Sequence, residues 1–476
     1  MMAKKGVLPM KTKMSITILV VFIAGALVCA SRCSRDAGQS ENAGANRDGS
    51  VAGSRTDEVT DSRSVGLDSA RAATNTVPVS QTTTVVRSVD DGSSPDARRL
   101  TSIDDRVVRG NSVFAFGLFR KTCGNGETKN LFISPLSVSV ALAMTYNGAS
   151  GKTAGEMADV LGFKGIDLGE LNQSMADLTT VLEQADSAVQ LTVANSLWGR
   201  KGFDFRPDFL QRNAAFYRAQ TTSLDFADPG TSSVINGWVN RSTRGLIDKI
   251  VDVIPRDAML YLINAIYFKG RWQTAFDPAS TINGPFHLAG GNEKIVPMMN
   301  QSGSFRYAED NGVQVVRLPY GTGRMGMYIF LPVDVRGLGG FLGGLNDRVF
   351  IEWMSNLATR EGDVLVPRFK IEYECGLVPT LRALGMRDAF DASTADFSGM
   401  SDADLCVSEV KHKAVVEVNE EGTKAAAVTS VEMKTTSVRE PADRFSFIAD
   451  QPFFFVIRDD ATGTILFMGA LYDPAF

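Results

Sequence analysis

The chain has 476 residues, 44% of them apolar, and a formal net charge of -5. That length exceeds an average domain, and the apolar share is ordinary for a globular protein with a real core. A modest acidic balance without clustered Lys and Arg excludes a dominant nucleic-acid surface, because phosphate binding requires such clusters.

Lys4, Lys5, Lys11 and Lys13 precede a 16-residue apolar run from Ser15 to Ala30, which reads as a signal peptide over residues 1–30. The run is short for a membrane span, so no span is expected in the mature chain. Val28-Cys29-Ala30 offers small residues for cleavage after Ala30; a lipid anchor at Cys29 or Cys33, or an uncleaved anchor, are the alternatives. The expected location is secreted, or on the cell surface as a lipoprotein. Residues 31–100 are crowded with Ser, Thr, Gly, Asp, Asn and Arg and show no periodicity, the composition of a disordered low-complexity linker. One domain is expected over residues 101–476.

Within it, Val107, Val108, Val113, Phe114, Phe116 and Leu118 are spaced as the apolar stripe of a helix. Residues 133–146 contain Ser134-Pro135, which suits a helix N-terminus. Strands are expected over residues 191–197, 259–268, 314–318, 326–331 and 364–373. A C-terminal hairpin should join residues 452–458 and 464–471.

Several catalytic readings fail. Gly148-Ala149-Ser150-Gly151-Lys152-Thr153 resembles the end of a phosphate-binding loop, but Tyr146 stands where its first glycine belongs, so a helix-ending turn is the better reading. Only His287 and His412 could serve as an imidazole base, and no serine sits in a G-x-S-x-G elbow. His412, in an alternating β-rich run, reads as a hydrogen-bonded structural residue. Cys123, Cys375 and Cys406 are widely spaced without a CxxC pair and read as structural thiols, with neither metal nor cofactor implied.

Between strand-like stretches at 414–418 and 445–448 lie about 25 residues with no sign of a stable element, and long loops in compact domains are usually functional. Thr423, Ala425, Ala427, Thr429, Val431 and Met433 share one parity and are uncharged, whereas Lys424, Glu432 and Lys434 fall on the other. Such alternation is what a strand needs when one face enters a core. No proline interrupts the segment before Pro441, so every ladder N–H is available.

Glu420-Glu421-Gly422-Thr423 followed by Ala425-Ala426-Ala427 resembles the hinge of inhibitory serpins. Residues 130–137 resemble that family's early helix and 148–153 its following turn. Asn264 to Trp272 resembles the strand carrying the family tryptophan, and Pro452-Phe453 with Phe467-Met468-Gly469 the C-terminal strands. The resemblance implies an α+β serpin fold with three β-sheets, about eight or nine helices and an exposed reactive-centre loop. It implies a monomeric suicide-substrate inhibitor, not an enzyme, that captures a serine or cysteine protease covalently by loop cleavage, acyl-enzyme trapping and loop insertion into the main sheet. Ser134, Asn264 and His412 match the family's shutter cluster, and Trp272 its breach. Counting to the seventeenth residue from Glu420 puts the reactive bond at Thr436-Ser437, with Lys434 and Arg439 as alternatives. The competing reading within the family is a non-inhibitory carrier or chaperone.

Overall fold

The computed structural model describes residues 100, 102–124, 128–335, 337–423 and 444–476. Outside these lie the predicted signal peptide, nearly all of the predicted linker, hinge residues Ala425, Ala426 and Ala427, and the reactive-bond residues Lys434, Thr436, Ser437 and Arg439. Leu100, the last residue of the expected linker, already packs on the core.

Helix α1 (Asp105–Cys123) starts where Asp104 accepts the Arg106 N–H; of the stripe read from the sequence it buries Val107, Phe114, Phe116 and Leu118, while Val108 is half-buried and Val113 lies on the solvent side. Ser134 caps α2 (Pro135–Tyr146), whose residues are nearly all buried because it runs behind a sheet. Further helices are α3 (Gly151–Leu161), α4 (Leu168–Glu183), α5 (Pro207–Tyr217), α6 (Thr231–Ser242), α7 (Gly337–Gly344), α8 (Asp347–Asn356) and α9 (Val378–Leu384), nine among the described residues. The phosphate-loop look-alike spans the turn after α2 and the first residues of α3, where Lys152 pairs with Asp388 at 2.9 Å.

Two hydrogen-bonded ladders carry the strands. The nine-stranded one contains β1 (Leu131–Ile133), β5 (Ile282–His287), β6 (Glu293–Asp310), β7 (Val313–Tyr320), β8 (Met325–Pro332), β9 (Ala358–Pro367), β13 (Phe445–Ile448), β14 (Phe453–Asp459) and β15 (Ile465–Leu471). β6 pairs with β5, with β9 over Met298–Tyr307 and with β7 over Arg306–Asp310, so two of the three implied sheets are continuous through this one long strand. The six-stranded ladder has the order β10 (Phe369–Gly376), β11 (Glu409–Asn419), β12 (Gly422–Thr423), β4 (Leu260–Arg271), β2 (Val189–Arg200) and β3 (Gln220–Leu224).

The strand expected over 364–373 is in fact two. The chain leaves one ladder after Pro367 and joins the other at Phe369, with Arg368 between them. Apolar alternation continues across the junction, and periodicity cannot register a change of sheet.

The main core fills the space between the two ladders, while α6 and the segment after it pack Ile235, Val239, Ile250 and Val251 against Tyr261, Ile263 and Ala265 on the other face of β4. The six-stranded sheet is therefore covered on its second face at β4 and β2, while Lys370, Glu372 and Glu374 of β10 remain exposed.

Candidate functional site

β11 and β4 run parallel and pair from Glu409 to Lys413 with Tyr261 to Ala265, placing His412 opposite Asn264. Beyond this their mutual ladder stops. At their far end the chain reverses through Asn419-Glu420-Glu421-Gly422, and Gly422–Thr423 forms β12, paired to β11 on one side and to Gly270–Arg271 of β4 on the other. Asn419 makes the reversal, because its Oδ1 accepts the Glu421 and Gly422 N–H groups at 3.1 and 3.3 Å. Gly422 has φ 150°, and a Cβ there would sit 2.1 Å from the Gly270 carbonyl oxygen, so only glycine lets the backbones pass.

Thr423 is 1% exposed, with its hydroxyl 2.7 Å from that of Tyr320. Tyr320 stacks on Trp272 at a ring separation of 4.4 Å. Trp272 then clasps the reversal: its indole N–H donates to the Asn419 carbonyl and its backbone N–H to the Glu421 carbonyl, both at 2.9 Å.

Glu420 is buried and accepts the Thr281 hydroxyl at 2.5 Å and the Arg368 Nε at 2.7 Å. Burial alone would raise its pKa, but hydrogen bonds from Arg368 and Thr281 outweigh burial and hold the carboxyl below its ordinary value. Arg368→Met strands this carboxylate with one strong donor fewer. The expected result is a loss of about 2 kcal/mol in denaturant unfolding at pH 7. A depressed carboxyl contributes stability above its unfolded pKa and loses it as pH falls through the folded value, so wild type and variant should converge in strong acid.

Further along the same sheet lies a closed polar cluster. His412 Nε2 accepts the Ser134 N–H at 3.1 Å, so Nδ1 carries the proton and donates to Asn264 Oδ1 at 2.7 Å. Asn264 Nδ2 donates to the Ser137 carbonyl at 2.8 Å and to Asn195 Oδ1 at 2.6 Å, while the Ser134 hydroxyl donates to the Leu466 carbonyl at 2.7 Å. Ser134, Ser137, Asn264 and His412 are fully buried. Burial lowers the His412 pKa to about 3, so the ring is neutral. It ties α2 to the sheet and has no access to a substrate. The other imidazole, His287, lies beside two carboxylates, 3.2 Å from Glu293 and 3.8 Å from Asp450.

The residues proposed from the sequence thus fall into two groups. Glu420, Glu421, Gly422 and Thr423 meet Trp272 at the top of the sheet, and Ser134, Asn264 and His412 meet below it. Sequence reasoning missed Tyr320, Arg368 and Asn195. Only Asn195 carries a signal, a carboxamide inside an apolar strand that needs a buried partner.

A family model for Serpin (serine protease inhibitor) matches residues 109–474. The chain belongs to the serpin family. It is 39% identical over 379 residues to Serpin B6 of Macaca fascicularis, covering 78% of this chain and 100% of the relative. Leukocyte elastase inhibitor A of Rattus norvegicus is 36% identical over 383 residues, again covering 78% of this chain and 100% of the relative. The crystal structure of the thermophilic serpin tengpin in its native state superposes with a TM-score of 0.72 at 34% identity, covering 78% of this chain and 95% of that one. This serpin is a protease inhibitor rather than an enzyme.

Proposed function

We propose that this serpin traps its target protease as a covalent acyl-enzyme. The protease's nucleophilic serine or cysteine adds to the carbonyl carbon of Thr436 and the Thr436–Ser437 peptide bond breaks. The new ester or thioester joins Thr436 to the enzyme, and Ser437 leaves as a free amine. The freed strand then zips between β11 and β4, dragging the enzyme along before water can complete hydrolysis. Lys434 and Arg439 are the alternative residues at the bond.

One observation carries this reading: β12 is already started in register. Thr423 is paired with Val418 and Gly270, and five positions further along each of those strands lie Lys413 and Ala265, which are themselves paired. A strand continuing from Thr423 therefore meets both neighbours without a slip. Ala425 and Ala427 would face Phe268 with Val416 and Ile266 with Ala414, all apolar and buried. Thr429 would arrive between Asn264 and His412. The carrier or chaperone alternative has no observation in its favour at the hinge, where strand entry is started in register.

Incubation with trypsin-like, elastase-like and subtilisin-like proteases, followed by denaturing electrophoresis, tests the reading. A band at the summed mass of inhibitor and enzyme is expected, with mass spectrometry of the released peptide fixing the bond. Cleavage by every enzyme of the panel without any adduct would contradict it.

We also read the chain as a monomer exported through residues 1–30, with 31–100 as a tether to the serpin domain. Supporting this are the basic and apolar order of the first residues and the start of the family match at residue 109. Among the described residues no helix is long and apolar enough to cross a membrane. N-terminal sequencing of the mature protein distinguishes cleavage after Ala30 from lipidation at Cys29 or Cys33.

A further inference from the structure

An open-mouthed cavity of about 750 Å³ lies between the last turn of α1 and helix α7, apart from the hinge and its sheet. That volume falls within the range of sites that hold small organic ligands. Its lining includes Leu338 and Leu342 of α7, Leu384 of α9, Tyr472 and Cys123. Burial raises the Cys123 thiol to about 12, so this wall is neutral as well as apolar.

Helix α7 reads Gly337-Leu338-Gly339-Gly340-Phe341-Leu342-Gly343-Gly344. Glycine is the poorest helix former after proline. Packing does not demand it here: a Cβ at Gly339, Gly340, Gly343 or Gly344 would meet nothing within 4 Å. Gly339 and Gly343 face the cavity, so side chains at these places would project into its space. The helix forgoes its best formers, and the cavity stays open.

At the rim stand Arg120 and Lys121, both solvent-exposed and neither in an ion pair among the described residues. Their position in the last turn of α1 suits the helix dipole, and among the described residues no carboxylate pairs with these two positive charges beside the apolar hollow.

We propose that this cavity binds an amphiphilic monoanion of the fatty-acid type, its hydrocarbon chain against Leu338, Leu342 and Leu384 and its carboxylate on Arg120 and Lys121. The inference is independent of protease trapping. Calorimetric titration of the full chain with decanoate, and with decanol as its neutral counterpart, tests it. One saturable site is expected, about tenfold tighter for decanoate than for decanol, because two exposed cations each contribute modestly. Each methylene removed from the probe should weaken binding about fourfold. R120Q/K121Q should lower decanoate to the level of decanol and leave decanol unchanged. G343L, where the side chain has room, should abolish both while retaining the thermal midpoint; G339A, a smaller intrusion, should weaken both. Absence of saturable decanoate binding, equal affinity for the two probes, or undiminished binding by folded G343L and G339A would overturn the proposal.

Discussion

Thr423→Arg should be cleaved by the target protease at the wild-type rate and release it intact. Thr423 occupies the first inward-facing position of the strand that must form, 1% exposed and hydrogen-bonded to Tyr320. An arginine there would place a cation against Tyr320 and Trp272, at a buried position built for a hydroxyl. Burying an unpaired charge costs at least several kcal/mol. The hinge would be expelled and insertion slowed, while the proposed scissile bond, thirteen positions further along the sequence, is chemically unchanged. Deacylation then wins the race. The measurement is the number of inhibitor molecules consumed per enzyme molecule inactivated, expected to rise by at least tenfold, with the adduct band replaced by cleaved inhibitor. Thr423→Ser, which keeps the hydroxyl, should behave nearly as wild type. Undiminished trapping by Thr423→Arg would mean that insertion past this position is not how the enzyme is held.

How far the sequence alone leads can be judged at this same position. Parity placed Thr423 inward, because a strand's faces alternate whatever surrounds it, and its burial agrees. Gly422 was legible as part of the hinge motif, but that its Cβ would strike the Gly270 carbonyl follows only from three strands converging there. Arg368 was hidden inside an apparently continuous strand, and its bond to Glu420 joins residues 52 apart in the chain. Tyr320 lies just beyond the strand expected over 314–318, where nothing local marks it. Its role depends on Trp272 stacking on one side and Thr423 bonding on the other, and neither contact leaves a trace in local spacing. The long strand β6 escaped notice because its polar stretch Asn300 to Ser304, paired with β9, buries no side chain fully and so interrupts the apolar alternation by which a strand is read. The sequence therefore carries what local periodicity and turn chemistry encode, and loses what depends on which elements meet.

His412→Gln should flatten the dependence of stability on mild acid. The ring is fully buried and neutral, its pKa lowered to about 3 by burial, whereas the unfolded chain's imidazole titrates near 6.5. Between those values the unfolded state binds a proton that the folded state refuses, so stability falls as pH drops below about 6.5, amounting to about 2 kcal/mol by pH 5. Glu420 acts in a different window, since its pKa is lowered from an ordinary value of 4.5, and the interval from pH 6.5 to 5 mainly reports the histidine. Glutamine can keep one of the two hydrogen bonds but has no proton to gain. At pH 7 it should cost about 1 to 3 kcal/mol through the lost partner and imperfect fit. Denaturant midpoints at pH 7, 6 and 5 should therefore converge between the two proteins as pH falls. Parallel pH profiles would show that His412 is not the group responsible. Because Thr429 would have to enter between His412 and Asn264 as the loop inserts, the variant should also alter insertion. Inhibition kinetics at pH 7 would reveal this as a changed ratio of trapping to cleavage, with the rate of initial cleavage unaltered.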